Sequence, residues 1–212
     1  MSVEPTPTEK VFSVAELKPG DSSEPIYDAW AESYDQELTD VGYNSPPLVA
    51  ATLAAMVGDT SGAVIDYGCG TGLSGSALRG ADFETIDGAD LSSGMLEIAA
   101  AKGVYRSLHK VDLTGPTGLG DGSYAAAACV GAMGNGHLDP SHVTELVRAV
   151  TPGGPVVFYM NGGPYVADDY EGQFRGLADE GVWTIERIEA SNYMDELARP
   201  GFLVVARAGA GT

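Results

Sequence analysis

Between Gly62 and Gly75 the chain reads GAVIDYGCGTGLSG, an apolar run of strand length that breaks into four glycines within eight residues. A strand that ends in such a loop and passes straight into a helix constrains the fold more than any other feature of the sequence. Without side chains the loop backbone can approach a ligand closely, and the N–H groups of the following helix start point at it. The pattern predicts a strand over Gly62–Tyr67 and a short helix over Gly72–Leu78. A parallel neighbour for that strand can be reached only over a crossover, normally a helix, so the rest of the chain should alternate strand with helix.

It does. Phe83–Ala89 leads to a second strand edge at Asp90, and Ser92 or Ser93 caps a helix reaching Ala101. His109–Leu113 offers a third strand. Tyr124–Val130 offers a fourth, fully apolar and therefore central. Asp139 or Ser141 caps a helix to Val150, and Thr151-Pro152-Gly153-Gly154 turns it into a fifth strand, Pro155–Met160. After a helix over Tyr170–Asp179 come two strands, Val182–Tyr193 and Phe202–Arg207. Their short connection predicts an antiparallel pair. Upstream, Tyr27, Trp30, Tyr34 and Leu38 recur at helical spacing within Pro25–Asp40. Asn44-Ser45-Pro46-Pro47 opens a second helix, Leu48–Val57, which Gly58 ends. Residues 1–23 carry prolines among acids and serines and read as a flexible acidic tail. The expectation is one α/β domain over residues 24–212, its sheet covered by helices on both faces, with a helical lid over residues 24–58.

The glycine loop fits two ligand fingerprints. From Gly70, GTGLSG matches G-x-G-x-x-G, the pattern that cradles a dinucleotide pyrophosphate. From Asp66, DYGCGTG matches the D-x-G-x-G-x-G loop that holds S-adenosylmethionine. Both expect an acid at the end of the second strand for ribose hydroxyls, and Asp90 serves either. Asp66 separates them. At ~5 Å and an effective dielectric of about 20, a carboxylate at the loop's mouth repels a phosphate charge by roughly 3 kcal/mol. The ammonium and sulfonium of S-adenosylmethionine are attracted instead. With 29 glycines in 212 residues, the literal dinucleotide match carries little weight.

VIDYGCGTG and GADLSSGML, with AVTPGGPVVFYM before the fifth strand, together resemble the class I S-adenosylmethionine-dependent methyltransferases over roughly Ile26–Arg207. More narrowly, IYDAWAESYDQEL followed by GYNSP resembles the small methyltransferases related to the one encoded in the Williams–Beuren syndrome region. The resemblance implies a Rossmann-like, mostly parallel seven-stranded sheet ending in an antiparallel hairpin. It implies that Asp66, Gly68, Cys69, Gly70 and Gly72 hold the methionine end of the cofactor and Asp90 the ribose. Leu91 and Met95 would pack on the adenine, with Asp112 accepting from its amino group beside Leu113. Cys129, Val130 and Gly131 would line the sulfonium end. Tyr27, Trp30 and Tyr34 would close over the cofactor. Two departures concern the acceptor. Tyr124-Ala125 stands where many members carry Phe-Asp, and the loop after the fourth strand lacks the Asn-Pro-Pro-Tyr pattern used on nucleobase amines.

A net charge of −19, with 11 basic residues that form no run, also disfavours nucleic acid as substrate. No stretch approaches the roughly 20 apolar residues of a membrane span. Cys69 and Cys129 match no zinc or redox spacing, which fits a cytoplasmic protein without a metal. The sequence therefore points to methyl transfer onto a small molecule. His137 is the expected general base, with Asn135 beside it, and Asn161 and Tyr165 are expected at the acceptor. The rival readings are a cofactor-binding sensor domain without turnover and an NAD(P)-dependent oxidoreductase.

Overall fold

The computed structural model of the chain describes residues 23–111, 117–133, 138, 141–196 and 199–209. Its elements run α1 (Glu24–Asp40), α2 (Ser45–Val57), β1 (Val64–Tyr67), α3 (Leu73–Gly80), β2 (Ile86–Asp90), α4 (Ser93–Ala101) and β3 (Ser107–Lys110). They continue with β4 (Ala126–Val130), α5 (Ser141–Ala149), β5 (Pro155–Asn161), α6 (Gly162–Ala167), α7 (Tyr170–Asp179), β6 (Trp183–Asn192) and β7 (Pro200–Ala208). Among the described residues no helix is long and apolar enough to cross a membrane.

The strands form one seven-stranded sheet in the order β3-β2-β1-β4-β5-β7-β6. The five strands from β3 to β5 are parallel. β7 lies antiparallel between β5 and β6, which gives the expected terminal hairpin. β1 and β4 are buried along their whole length, as continuous apolar runs in a parallel sheet should be. Successive side chains feed two cores. On one face Ile65, Ala127 and Phe158 pack with Val143 and Leu146 of α5 and Phe174 of α7. On the other, Val64, Ala128 and Val157 pack with Val49 and Leu53 of α2 and Leu78 of α3. Each fully buried aliphatic contributes about 1.5–3 kcal/mol relative to an exposed one.

β1 has β2 on one side and β4 on the other, so the winding reverses between β1 and β4. Ligands in open α/β sheets bind at the carboxyl ends of the strands where the winding reverses in this way.

Several boundaries differ from expectation, each for a local reason. β3 occupies Ser107–Lys110 rather than His109–Leu113, because its register against β2 runs from Asp87↔Ser107 to Asp90↔Lys110 and stops where β2 stops. α2 begins at Ser45, three residues early, since Pro46 and Pro47 sit in its first turn where no intrahelical donor is needed. The turn-like Gly162-Gly163-Pro164 opens a short helix, α6, that the sequence does not predict; the proline again falls in a first turn. The predicted tail over residues 1–22 lies outside the described residues.

Candidate functional site

A cleft of about 520 Å³, counting its open mouth, lies against the ends of β1, β2 and β4 under α1. It gathers Tyr27 and Tyr34 from α1, Gly68 and Gly70 from the glycine loop, Asp90, Leu91 and Met95 from the end of β2 into α4, and Val130 and Gly131 from the end of β4. Val111, Ala132 and Leu138 complete the wall, and no sequence motif points to them.

Asp90 is fixed from two loops. One carboxylate oxygen accepts from the Gly70 N–H at 2.8 Å and the other from the Ser92 N–H at 2.9 Å. Each oxygen keeps a lone pair after that bond, so the carboxylate can still accept two hydroxyls side by side. Burial raises its pKa above the ordinary carboxylate value, while these backbone bonds pull it down. Gly68 has φ of +74°, and a Cβ there would stand 2.1 Å from the Cβ of Ala132. The loops after β1 and β4 thus close together only over a glycine.

Asp66 is not at the mouth of the loop. It is fully buried beneath it, because β1 points this side chain under α3. One oxygen accepts from the Ser74 hydroxyl and from the Tyr105 hydroxyl, both at 2.7 Å. The other oxygen is buried without a partner among the described residues. Burial pushes its pKa up to about 6, against the two hydroxyls, which lower it; the charge of Asp90 adds to the rise. Asp66 does not itself line the cleft and acts on it only as a buried charge beneath the loop, whereas the two remaining lone pairs of Asp90 at the cleft suit a ligand carrying a diol. The apolar walls of Leu91, Met95 and Val111 suit a flat heterocycle.

α1 is held over the cleft by acids on the face that the helical spacing marks as solvated. Asp28 accepts from the Ser92 hydroxyl and from the Gly94 N–H at 3.0 Å, and Ser92 in turn caps α4 through the Met95 N–H. Asp35 accepts from the Thr71 hydroxyl of the glycine loop and pairs with Lys102. Glu24 pairs with Lys110 of β3 at 2.8 Å. Tyr27 and Tyr34 face the cleft, and burial holds both phenols above their ordinary pKa and therefore neutral. Trp30 does not reach the cleft wall. It is buried behind the tyrosines, edge-on to Tyr34 with ring centres 4.7 Å apart, and its indole N–H donates to Glu37.

Other expected residues are also placed elsewhere. Cys69, Gly72 and Cys129 do not line the cleft; both cysteines are buried, and burial raises their thiols well above the ordinary value. Asn161 ends β5, and Tyr165 is buried in α6 against Phe202 with ring centres 4.0 Å apart, neither in the cleft wall. Asp112, Leu113, Asn135 and His137 lie outside the described residues. Tyr105 and Ser74 carry no signal in the sequence, because nothing local marks a hydroxyl that meets an acid 39 or 8 residues away.

Comparison with known proteins agrees with this geometry. A methyltransferase domain profile matches residues 64–154. Methyltransferase-like protein 27 of Homo sapiens is 38% identical over 134 residues, covering 62% of this chain. The chain spans about half of that relative, with 54% of its length matched. Among solved structures, the [4+2]-cyclase SpnF superposes with a TM-score of 0.67 at 16% identity, over 92% of this chain and 99% of that one. An S-adenosylmethionine-dependent methyltransferase from Mesorhizobium loti gives 0.58 at 21% identity, over 74% and 95%. A putative methyltransferase of Haloferax volcanii, solved with a methyltransferase activator, gives 0.67 at 20%, over 86% and 97%. The structures establish the fold; the profile and the human relative both point to methyltransferases, and the cofactor these imply is S-adenosylmethionine. Residues 64–154 thus match the methyltransferase domain family, and the chain has the fold of solved S-adenosylmethionine-dependent methyltransferases.

Proposed function

We propose that this domain transfers a methyl group from S-adenosylmethionine to a small-molecule acceptor. The observation that carries the reading is Asp90, a carboxylate locked at the cleft by Gly70 and Ser92 with a lone pair left on each oxygen. It takes the ribose hydroxyls. Leu91, Met95 and Val111 take the adenine, and Asp66 beneath the loop sets a negative potential for the amino-acid end. Val130 and Gly131 line the sulfonium end, and Tyr27 and Tyr34 cover the cofactor and exclude water. When bound, S-adenosylmethionine supplies a methyl group on a positively charged sulfur, open to in-line displacement.

The protein's main contribution is then alignment, for which orientation is worth about 7–11 kcal/mol. A proton acceptor is needed only for a protonated nucleophile; His137, with Asn135 beside it, is assigned that role. The net charge of −19 supports a small acceptor over nucleic acid, and cytoplasmic residence is part of the same proposal.

A protein described as a cyclase shares this fold, so the fold alone does not establish transfer, and the second reading is a domain that binds the cofactor without turnover. The test is transfer of labelled methyl from S-adenosylmethionine to a fractionated pool of cell metabolites. Label in a small-molecule fraction, lost in Asp90→Ala, supports the proposal. Tight cofactor binding with no label in any fraction selects the second reading.

A further inference from the structure

The third glycine of the dinucleotide-like fingerprint, Gly75, makes room for a side chain. A Cβ at Gly75 would stand 2.2 Å from the Tyr105 hydroxyl oxygen. A Cβ at Gly72 would stand 3.0 Å from Cε2 of the same ring, and one at Gly88 3.0 Å from its Cε1. Gly72 opens α3, Gly75 lies within it and Gly88 is in the middle of β2. Three glycines in two elements leave the passage through which one phenol reaches Asp66.

The chemistry at the end of that passage is selective. Tyr105 and Ser74 both donate to the same carboxylate oxygen and leave the second without a partner among the described residues. Both donors are neutral. An arginine or lysine there would cancel the charge of Asp66, whereas two hydroxyls stabilise the carboxylate and leave its full charge under the loop. That charge attracts an ammonium and repels a phosphate.

We propose that Tyr105 is a positioning residue for the cofactor's amino-acid end, holding Asp66 through its hydroxyl so that the glycine loop selects a cationic ligand. The assignment rests on the reading of Asp66 given above.

The test is calorimetric binding of two probes to the full chain: S-adenosylhomocysteine and 5′-methylthioadenosine, which keeps the nucleoside and sulfur but lacks the ammonium and carboxylate. Tyr105→Phe retains the ring and removes only the hydroxyl. It should weaken S-adenosylhomocysteine about tenfold, within the range of a lost hydrogen bond to a charged group, and leave 5′-methylthioadenosine within about twofold. Asp66→Asn should show the same selective loss, and the double variant should lose no more than Asp66→Asn alone. Equal loss of both probes in Tyr105→Phe would make the hydroxyl a packing group and overturn the proposal. So would no loss of either while Asp66→Asn loses S-adenosylhomocysteine selectively. If Asp66→Asn itself binds both probes normally, the underlying reading of Asp66 fails, whatever Tyr105→Phe does.

Discussion

Asp66 shows how one side chain ties ligand choice to stability. Its pKa stands at about 6 in the folded chain against an ordinary 3.8, with burial the main cause. A raised carboxyl pKa means that the folded state binds the proton more tightly than the unfolded one. The stability it contributes is complete below pH 3.8 and is lost as pH rises through 6. Asp90, also raised by burial, acts in the same direction. Asp66→Asn should therefore gain on the native protein between about pH 4 and 7, by roughly 3 kcal/mol, the free energy that separates a carboxyl pKa of 3.8 from one of about 6. Urea midpoints measured across that range check this; a difference that stays flat with pH would show that Asp66 does not titrate there. The same variant is expected to bind the cofactor less well; weaker binding alongside the gain in stability would make the charge a functional requirement kept at the expense of stability. The identity of Asp66 as the informative residue was legible in DYGCGTG. Its position was not: alternation along β1 does not reveal that a tyrosine from before β3 comes to meet it under the loop.

At the scale of elements, most of the alternating architecture was legible because the segments are strongly periodic or continuously apolar. Tyr27, Trp30, Tyr34 and Leu38 marked α1, and the apolar run ending at Val130 marked a central strand. What the pattern could not supply was the work of the polar face of α1. Asp28 and Asp35 look like solvated acids in the sequence, yet they tie the helix to the cap of α4 and to the glycine loop. Periodicity reports which face is buried, not what an acid on the other face meets across 36 or 64 residues. Docking of α1 should accordingly be coupled to the cleft. Asp35→Ala removes the acceptor for Thr71 and the partner of Lys102, and should weaken S-adenosylhomocysteine several-fold while speeding hydrogen exchange across residues 24–40. Unchanged affinity with faster exchange would show that α1 covers the site without contributing to it.

For the whole molecule, the dominant physical fact is a net charge of −19 on 212 residues. Such an excess repels itself in the compact state, and salt screens it, since the Debye length falls from about 10 Å at 0.1 M to about 3 Å at 1 M. The melting temperature should rise between those sodium chloride concentrations; a fall would mean that ion pairs such as Glu24–Lys110 outweigh the general repulsion. The fold itself is shared with proteins of different named activities, so function must be argued from the site. The central claim is that this glycine loop, with Asp66 under it and Asp90 beside it, selects S-adenosylmethionine over a dinucleotide. Calorimetric titration of the purified chain with S-adenosylmethionine and, separately, with NAD tests it most directly. The account predicts saturable 1:1 binding of S-adenosylmethionine and no detectable binding of NAD; tight binding of NAD with none of S-adenosylmethionine would contradict it.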